Sequence, residues 1–189
     1  WARSANEGNF GIPMLQGSRF DLTVGKFPVR INGRATQATG VNGSVPGPLL
    51  RFREGDEITL NVSNTLDVDT SIHWHGLLVP FQMDGVPGVS FPGIQPGETF
   101  RYEFAVPQNG TYWYHSHSGH YGPIIIDPKG TDPVAYDREY VLVLGDWTYG
   151  TPERLFAKLK KHSDSQNFQQ RTVGDFLHDA SEEGLGKVL

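Results

Sequence analysis

Four of the seven histidines in this 189-residue chain stand in two His-x-His pairs, His73/His75 and His115/His117. On a β-strand, residues i and i+2 project from one face about 6–7 Å apart, and neighbouring strands run about 4.8 Å apart. Two such pairs on adjacent strands bring four imidazoles to one space. Neutral imidazole presents a lone pair to a metal and suits copper, zinc, iron and nickel. A single strand histidine is ordinarily just hydrogen-bonded or half exposed. Two pairs, each among aromatic strand residues and glycine turns, point instead to a metal site. His120 reads as an exposed loop residue or a support to the ligands, the exposed reading being favoured. His162 and His178 read as surface histidines.

Positioning these pairs requires strands, and the sequence is written in short alternating stretches. Phe20–Val24, Pro28–Ile31, Leu49–Phe52, Glu57–Asn64 and Thr99–Val106 place apolar residues at every second position, the pattern of a half-buried strand. Ser71–His75 and Gly110–His115 carry the histidines, and Ile124–Ile126 reads as a short buried strand. Turn-rich segments separate them, including 42–48 and the Gly- and Pro-dense loop 76–97. Seven or more short strands with regular turns predict an all-β Greek-key sandwich or barrel. Residues 1–17 read as an irregular lead-in, 18–132 as the β domain, and 133–189 as the incomplete, partly helical start of a second domain. Within that last part Tyr140–Leu144 reads as a strand, and Pro152–His162 and Val173–Leu189 as helices.

Composition narrows the chemistry. With no cysteine, disulfides and zinc–thiolate sites are excluded, and so is a blue-copper site, which needs a thiolate. Net charge is −5 with both signs scattered, so there is no basic stripe for nucleic acid. No apolar run approaches the 18 residues of a membrane span. A leader ahead of Trp1 is expected to have been either never present or removed. Sequons at Asn42, Asn61 and Asn109 are common by chance and carry little weight.

Ser71-Ile72-His73-Trp74-His75-Gly76, followed by Gly110-Thr111-Tyr112-Trp113-Tyr114-His115-Ser116-His117, resembles the first two copper motifs of the multicopper oxidases. Gln82-Met83-Asp84-Gly85-Val86-Pro87-Gly88 and Gln95-Pro96-Gly97-Glu98-Thr99-Phe100 strengthen the resemblance, which is nearest to the bacterial copper-resistance branch. It implies a cupredoxin fold for residues 18–132, within a protein of commonly three such domains. It also implies a trinuclear copper centre held by eight histidines between the first and last domains. His73 would bind the type 2 copper, His75 and His115 one type 3 copper, and His117 the other. The remaining four ligands and the Cys-containing type 1 copper site would come from the last of the remaining cupredoxin domains of the same protein. Asp84 matches an acidic residue that assists proton delivery, although Asp-Gly is also a common turn pair. The implied reaction couples one-electron oxidation of phenols or metal ions such as cuprous ion to four-electron reduction of O2 to water, in a periplasmic or secreted protein. The alternative is a non-catalytic copper- or zinc-binding domain. Two departures stand out. Only His120 separates Gly119 from Tyr121, where the branch has a longer loop, and Met-rich stretches are absent, Met14 and Met83 being the two methionines.

Overall fold

Where apolar residues alternate between Phe20 and Val106, the computed structural model has paired strands. It describes residues 11–116, 119–132, 134–162, 178 and 181. The strands are β1 (Met14–Gln16), β2 (Arg19–Ile31), β3 (Arg34–Val41), β4 (Leu49–Arg53), β5 (Glu57–Asn64), β6 (His73–His75), β7 (Thr99–Ala105), β8 (Gly110–His115) and β9 (Tyr121–Asp127). They form a five-stranded sheet ordered β1-β4-β9-β8-β6 and a four-stranded sheet ordered β3-β2-β5-β7. Strands adjacent in a sheet are mostly distant in sequence, as the Greek-key expectation requires. The helix α1 (Pro152–Lys161) follows.

The core lies between the two sheets. Phe20, Leu22 and Val24 of β2, Ile58, Leu60 and Val62 of β5, and Tyr102 and Phe104 of β7 face Leu50, Phe52, Trp74, Tyr114, Ile124 and Ile126 of the other sheet. Burial follows the alternation: inward residues of β5 are buried, outward ones are not. β9 is the exception, buried along nearly its whole length. It runs between β4 and β8, and its outer face is also covered, by a small cluster of Leu49, Ile125 and Val141 with Ile12 and Val143 against it. A strand covered on both faces reads as a continuous apolar run, and Ile124-Ile125-Ile126 is that run.

Three elements differ from expectation. Met14–Gln16 is a strand, parallel to β4, rather than part of an irregular lead-in. Arg34–Val41, whose sequence has no clear apolar alternation, pairs with β2 as an antiparallel hairpin through Asn32 and Gly33. Tyr140–Leu144 has the alternation of a strand, with Val141 and Val143 turned inward and Leu142 and Leu144 exposed, yet it joins neither sheet. It lies across the outer face of the five-stranded sheet, where no row of free backbone groups is offered. Alternation reports one buried side, not a hydrogen-bonded neighbour. Arg51 anchors the same segment by a bidentate pair with Asp127 and an ion pair with Glu139.

The chain divides into two compact units, Trp1–Trp147 and Thr148–Leu189. In the second, α1 begins at Thr151, whose hydroxyl accepts from Arg154 N, and Lys158, Lys160 and Lys161 complement the dipole in its last turn. The helix expected over Val173–Leu189 falls outside the described residues except at His178 and Ser181, both helical.

Candidate metal centre

β6 and β8 are antiparallel neighbours, with His73 opposite His115, Trp74 opposite Tyr114 and His75 opposite Trp113. Side chains alternate across a strand. His73, His75, Trp113 and His115 therefore share the outer face of the sheet, while Trp74 and Tyr114 point into the core, each at most 1% exposed. The two aromatic residues interleaved with the histidines thus hold both strands down. Trp74 packs edge-on against Tyr102 with ring centroids 5.2 Å apart. Tyr114 donates its hydroxyl to the Pro48 carbonyl at 2.9 Å. Its ring lies over Gly122, where a Cβ would sit 2.3 Å from it.

The candidate ligand atoms of His73, His75 and His115 lie within 4.8 Å of one another. His73 Nδ1 is 2.7 Å from the Asp84 carbonyl oxygen, which can only accept, so Nδ1 carries the proton and Nε2 keeps its lone pair. Asp84 reaches this position at the end of a 3-10 turn over Phe81–Met83. Gly85 makes the approach possible: it has φ of 76°, and a Cβ there would meet the Ile72 carbonyl oxygen at 1.8 Å. His75 Nδ1 and His115 Nε2 face each other at 3.1 Å. Between neutral imidazoles one proton occupies such a gap, and a metal ion takes the place of that proton when both nitrogens bind it. Nitrogens 3.1 Å apart are spaced as neighbouring ligands of a single ion with bonds of about 2.0–2.1 Å are. Trp113 stacks on His115 with centroids 4.1 Å apart and leans on His75 at 5.0 Å, limiting both rings. Gln108 accepts from Leu78 N at 2.7 Å and donates to the Gly76 carbonyl at 2.9 Å, stapling the turn that leaves His75. Nothing in the local sequence marks Gln108 for this role, because it arrives from the loop before β8.

Of the residues singled out from sequence, the structure thus brings together His73, His75, His115 and Asp84. His117 lies outside the described residues. His162 and His178 are exposed, apart from any such cluster among the described residues.

His120 corrects the reading of an exposed loop histidine: it is fully buried. Its Nε2 lies 3.1 Å from the Ser71 carbonyl oxygen and its Nδ1 2.9 Å from Ser116 Oγ. The carbonyl requires a proton on Nε2, so Nδ1 accepts from the serine hydroxyl. Ser116 N donates to the His120 carbonyl, which holds residue 120 beside the end of β8 with its ring enclosed rather than in solvent. Burial drives the His120 pKa down to about 4; the Ser71 carbonyl partly opposes this and nearby His115 adds to it. An unfolded chain takes up this proton near pH 6.5 and the folded one only near 4. Across that interval the unfolded state binds more protons, so stability falls as pH drops, by about 3 kcal/mol in all. Urea unfolding of the metal-free protein at pH 7 and pH 4 checks this, with His120→Gln expected to remove that part of the acid sensitivity.

Comparison with known proteins bears on this centre. Residues 23–131 match the sequence model of a family described as multicopper oxidase. Copper resistance protein A of Pseudomonas syringae pv. tomato is 52% identical over an alignment covering 100% of this chain and 32% of that protein. Copper resistance protein A of Escherichia coli is 54% identical over 93% of this chain and 30% of its own length. The chain therefore spans about a third of the length of these relatives. The first alignment runs to 195 positions against 189 residues, so that relative carries residues without a counterpart here. Among solved structures, a blue copper oxidase from Nitrosomonas europaea superposes with a TM-score of 0.57 and 38% identity, over 61% of this chain and 40% of that one.

Proposed function

The chain belongs to the multicopper oxidase family, and from that premise we propose that it is the oxygen-side cupredoxin domain of a copper-dependent oxidase. The observation that carries the proposal is the convergence of His73, His75 and His115 on one sheet face, their ligand nitrogens within 4.8 Å. The donor set fits copper: imidazoles on paired strands, with the tautomer of His73 set by the Asp84 carbonyl. His75 and His115, 3.1 Å apart, would share one type 3 ion. His73, held by the Asp84 carbonyl, would bind the type 2 ion through Nε2. His117 would supply the second type 3 ion, and the remaining ligands would come from other cupredoxin domains of the same protein. When held by these residues, copper would supply the redox chemistry by which O2 is reduced to water, with electrons coming from a type 1 site elsewhere in the protein. The donor would be a phenol or a metal ion such as cuprous ion, in the periplasm or outside the cell.

The residues of this chain orient the ligands and manage protons. Asp84 has a double part. Its backbone carbonyl fixes the tautomer of His73, and its carboxylate, whose Oδ1 lies 3.4 Å from His73 Nδ1 and so beside a ligand ring, would supply protons during oxygen reduction. Trp113 and the strand pair keep His75 and His115 from rotating away.

The test is oxygen uptake by the full-length copper-loaded protein, with cuprous ion and a phenol as alternative donors. Asp84→Asn preserves the carbonyl anchor and removes only the proton-carrying group. It should keep its copper and consume oxygen about 100-fold more slowly. A parent protein that binds copper or zinc tightly yet consumes no oxygen with either donor would make the domain a metal holder and not an oxidase.

A further inference from the structure

We infer that His120 is a positioning residue whose buried imidazole ties the two histidine-bearing strands together from beneath and so sets the spacing of the metal-binding nitrogens. The inference rests on the copper-site reading above. Ser71 lies two residues before His73 and Ser116 directly follows His115, and one ring reaches both, at 3.1 Å and 2.9 Å. β6 has three residues and, among the described strands, pairs with β8 alone. A strand of three residues at a sheet edge has few backbone hydrogen bonds to hold it in place. Its cross-strand pairs fix one line of contact, at His73–His115 through His75–Trp113. The His120 bridge adds a second at the end where the ligand strand enters the sheet, and the Gln108 staple adds a third where it leaves. The ring uses both its nitrogens in this bridge and presents none to a metal. A donor and an acceptor in one rigid plane are what the two partners require, and a neutral imidazole with its proton on Nε2 offers both, at the spacing of its two ring nitrogens. The ligand spacing thus depends on a histidine that is not itself a ligand.

Two isosteric substitutions divide the bridge. In His120→Gln the side-chain amide nitrogen takes the place of Nε2 and keeps the arm to Ser71. In His120→Asn the side-chain oxygen takes the place of Nδ1 and keeps the arm to Ser116. In the full-length copper-loaded protein, both variants should lose copper at about 10-fold lower EDTA concentration than the parent, the scale on which supports of metal ligands act. The electron paramagnetic resonance spectrum of the copper they retain should also shift. His162→Gln, exposed on the surface, should do neither. If both position-120 variants hold copper to the parental EDTA concentration with the parental spectrum, the inference falls, even where the metal-free protein unfolds more easily. His75→Ala serves as the reference. If it too holds copper like the parent, the metal-site reading itself fails and takes this inference with it.

Discussion

Replacing any one of His73, His75, His115 or His117 with Ala in the full-length protein should lower oxygen consumption at least about 1,000-fold. Groups that merely support metal ligands are worth 10–100-fold each, and losing a ligand outright goes further. The three described histidines are not interchangeable with solvent: each ring is held by a named partner, Asp84 for His73 and Trp113 for His75 and His115. Removing one imidazole leaves the remaining nitrogens aimed at a position they can no longer fill. Electron entry belongs, in the proposed arrangement, to another domain and should survive. Anaerobic reduction by substrate followed by exposure to oxygen separates the two steps. The variants should take up electrons at the parental rate and then fail to reoxidise. Reoxidation of the His73 or His115 variant at the parental rate would remove these residues from the metal centre and with them the oxidase reading.

Trp74→Ala should cost about 3–5 kcal/mol, the range for emptying a large aromatic site in a core. Trp74 is 1% exposed and touches Tyr102, Phe104 and Tyr114, the aromatic cluster that joins the two sheets. Against a total of about 5–15 kcal/mol for a domain, that loss brings the protein near unfolding at ordinary temperatures. Because Trp74 lies between His73 and His75, the ligands should loosen before the fold is lost. Trp74→Phe should be much milder. It keeps an aromatic ring in the cluster and deletes the indole nitrogen, which is buried without a hydrogen-bond partner among the described residues. An unmatched buried donor is itself a burden of about 1–3 kcal/mol, so its removal offsets part of the lost volume. Chemical denaturation of the two variants beside the parent measures both effects. A Phe variant as unstable as the Ala variant would show that the indole is held in a way the ring contacts do not explain.

Much of this was legible in the sequence because two short-range rules carried it. Alternation marked β2, β5 and β7 and the inner face of each, and the i, i+2 spacing placed His73 with His75 on one side of a strand whatever that strand paired with. The absence of cysteine removed blue-copper chemistry from the chain without any structure. The tertiary structure decided what depends on partners distant in sequence. The β6–β8 register set His73 opposite His115, 42 residues later, and brought two motifs into one centre. Tyr140–Leu144 kept its alternation but gained no neighbour, since packing on a sheet face and pairing at an edge leave the same pattern in sequence. His120 was misread for a related reason. A histidine after Ser-Gly looks like a loop residue until the fold places a carbonyl from residue 71 and a hydroxyl from residue 116 on either side of it. Local pattern determines which face a side chain takes. Only the closed fold determines what waits there, because hydrogen-bond partners and excluded water come from chain segments that no local window contains.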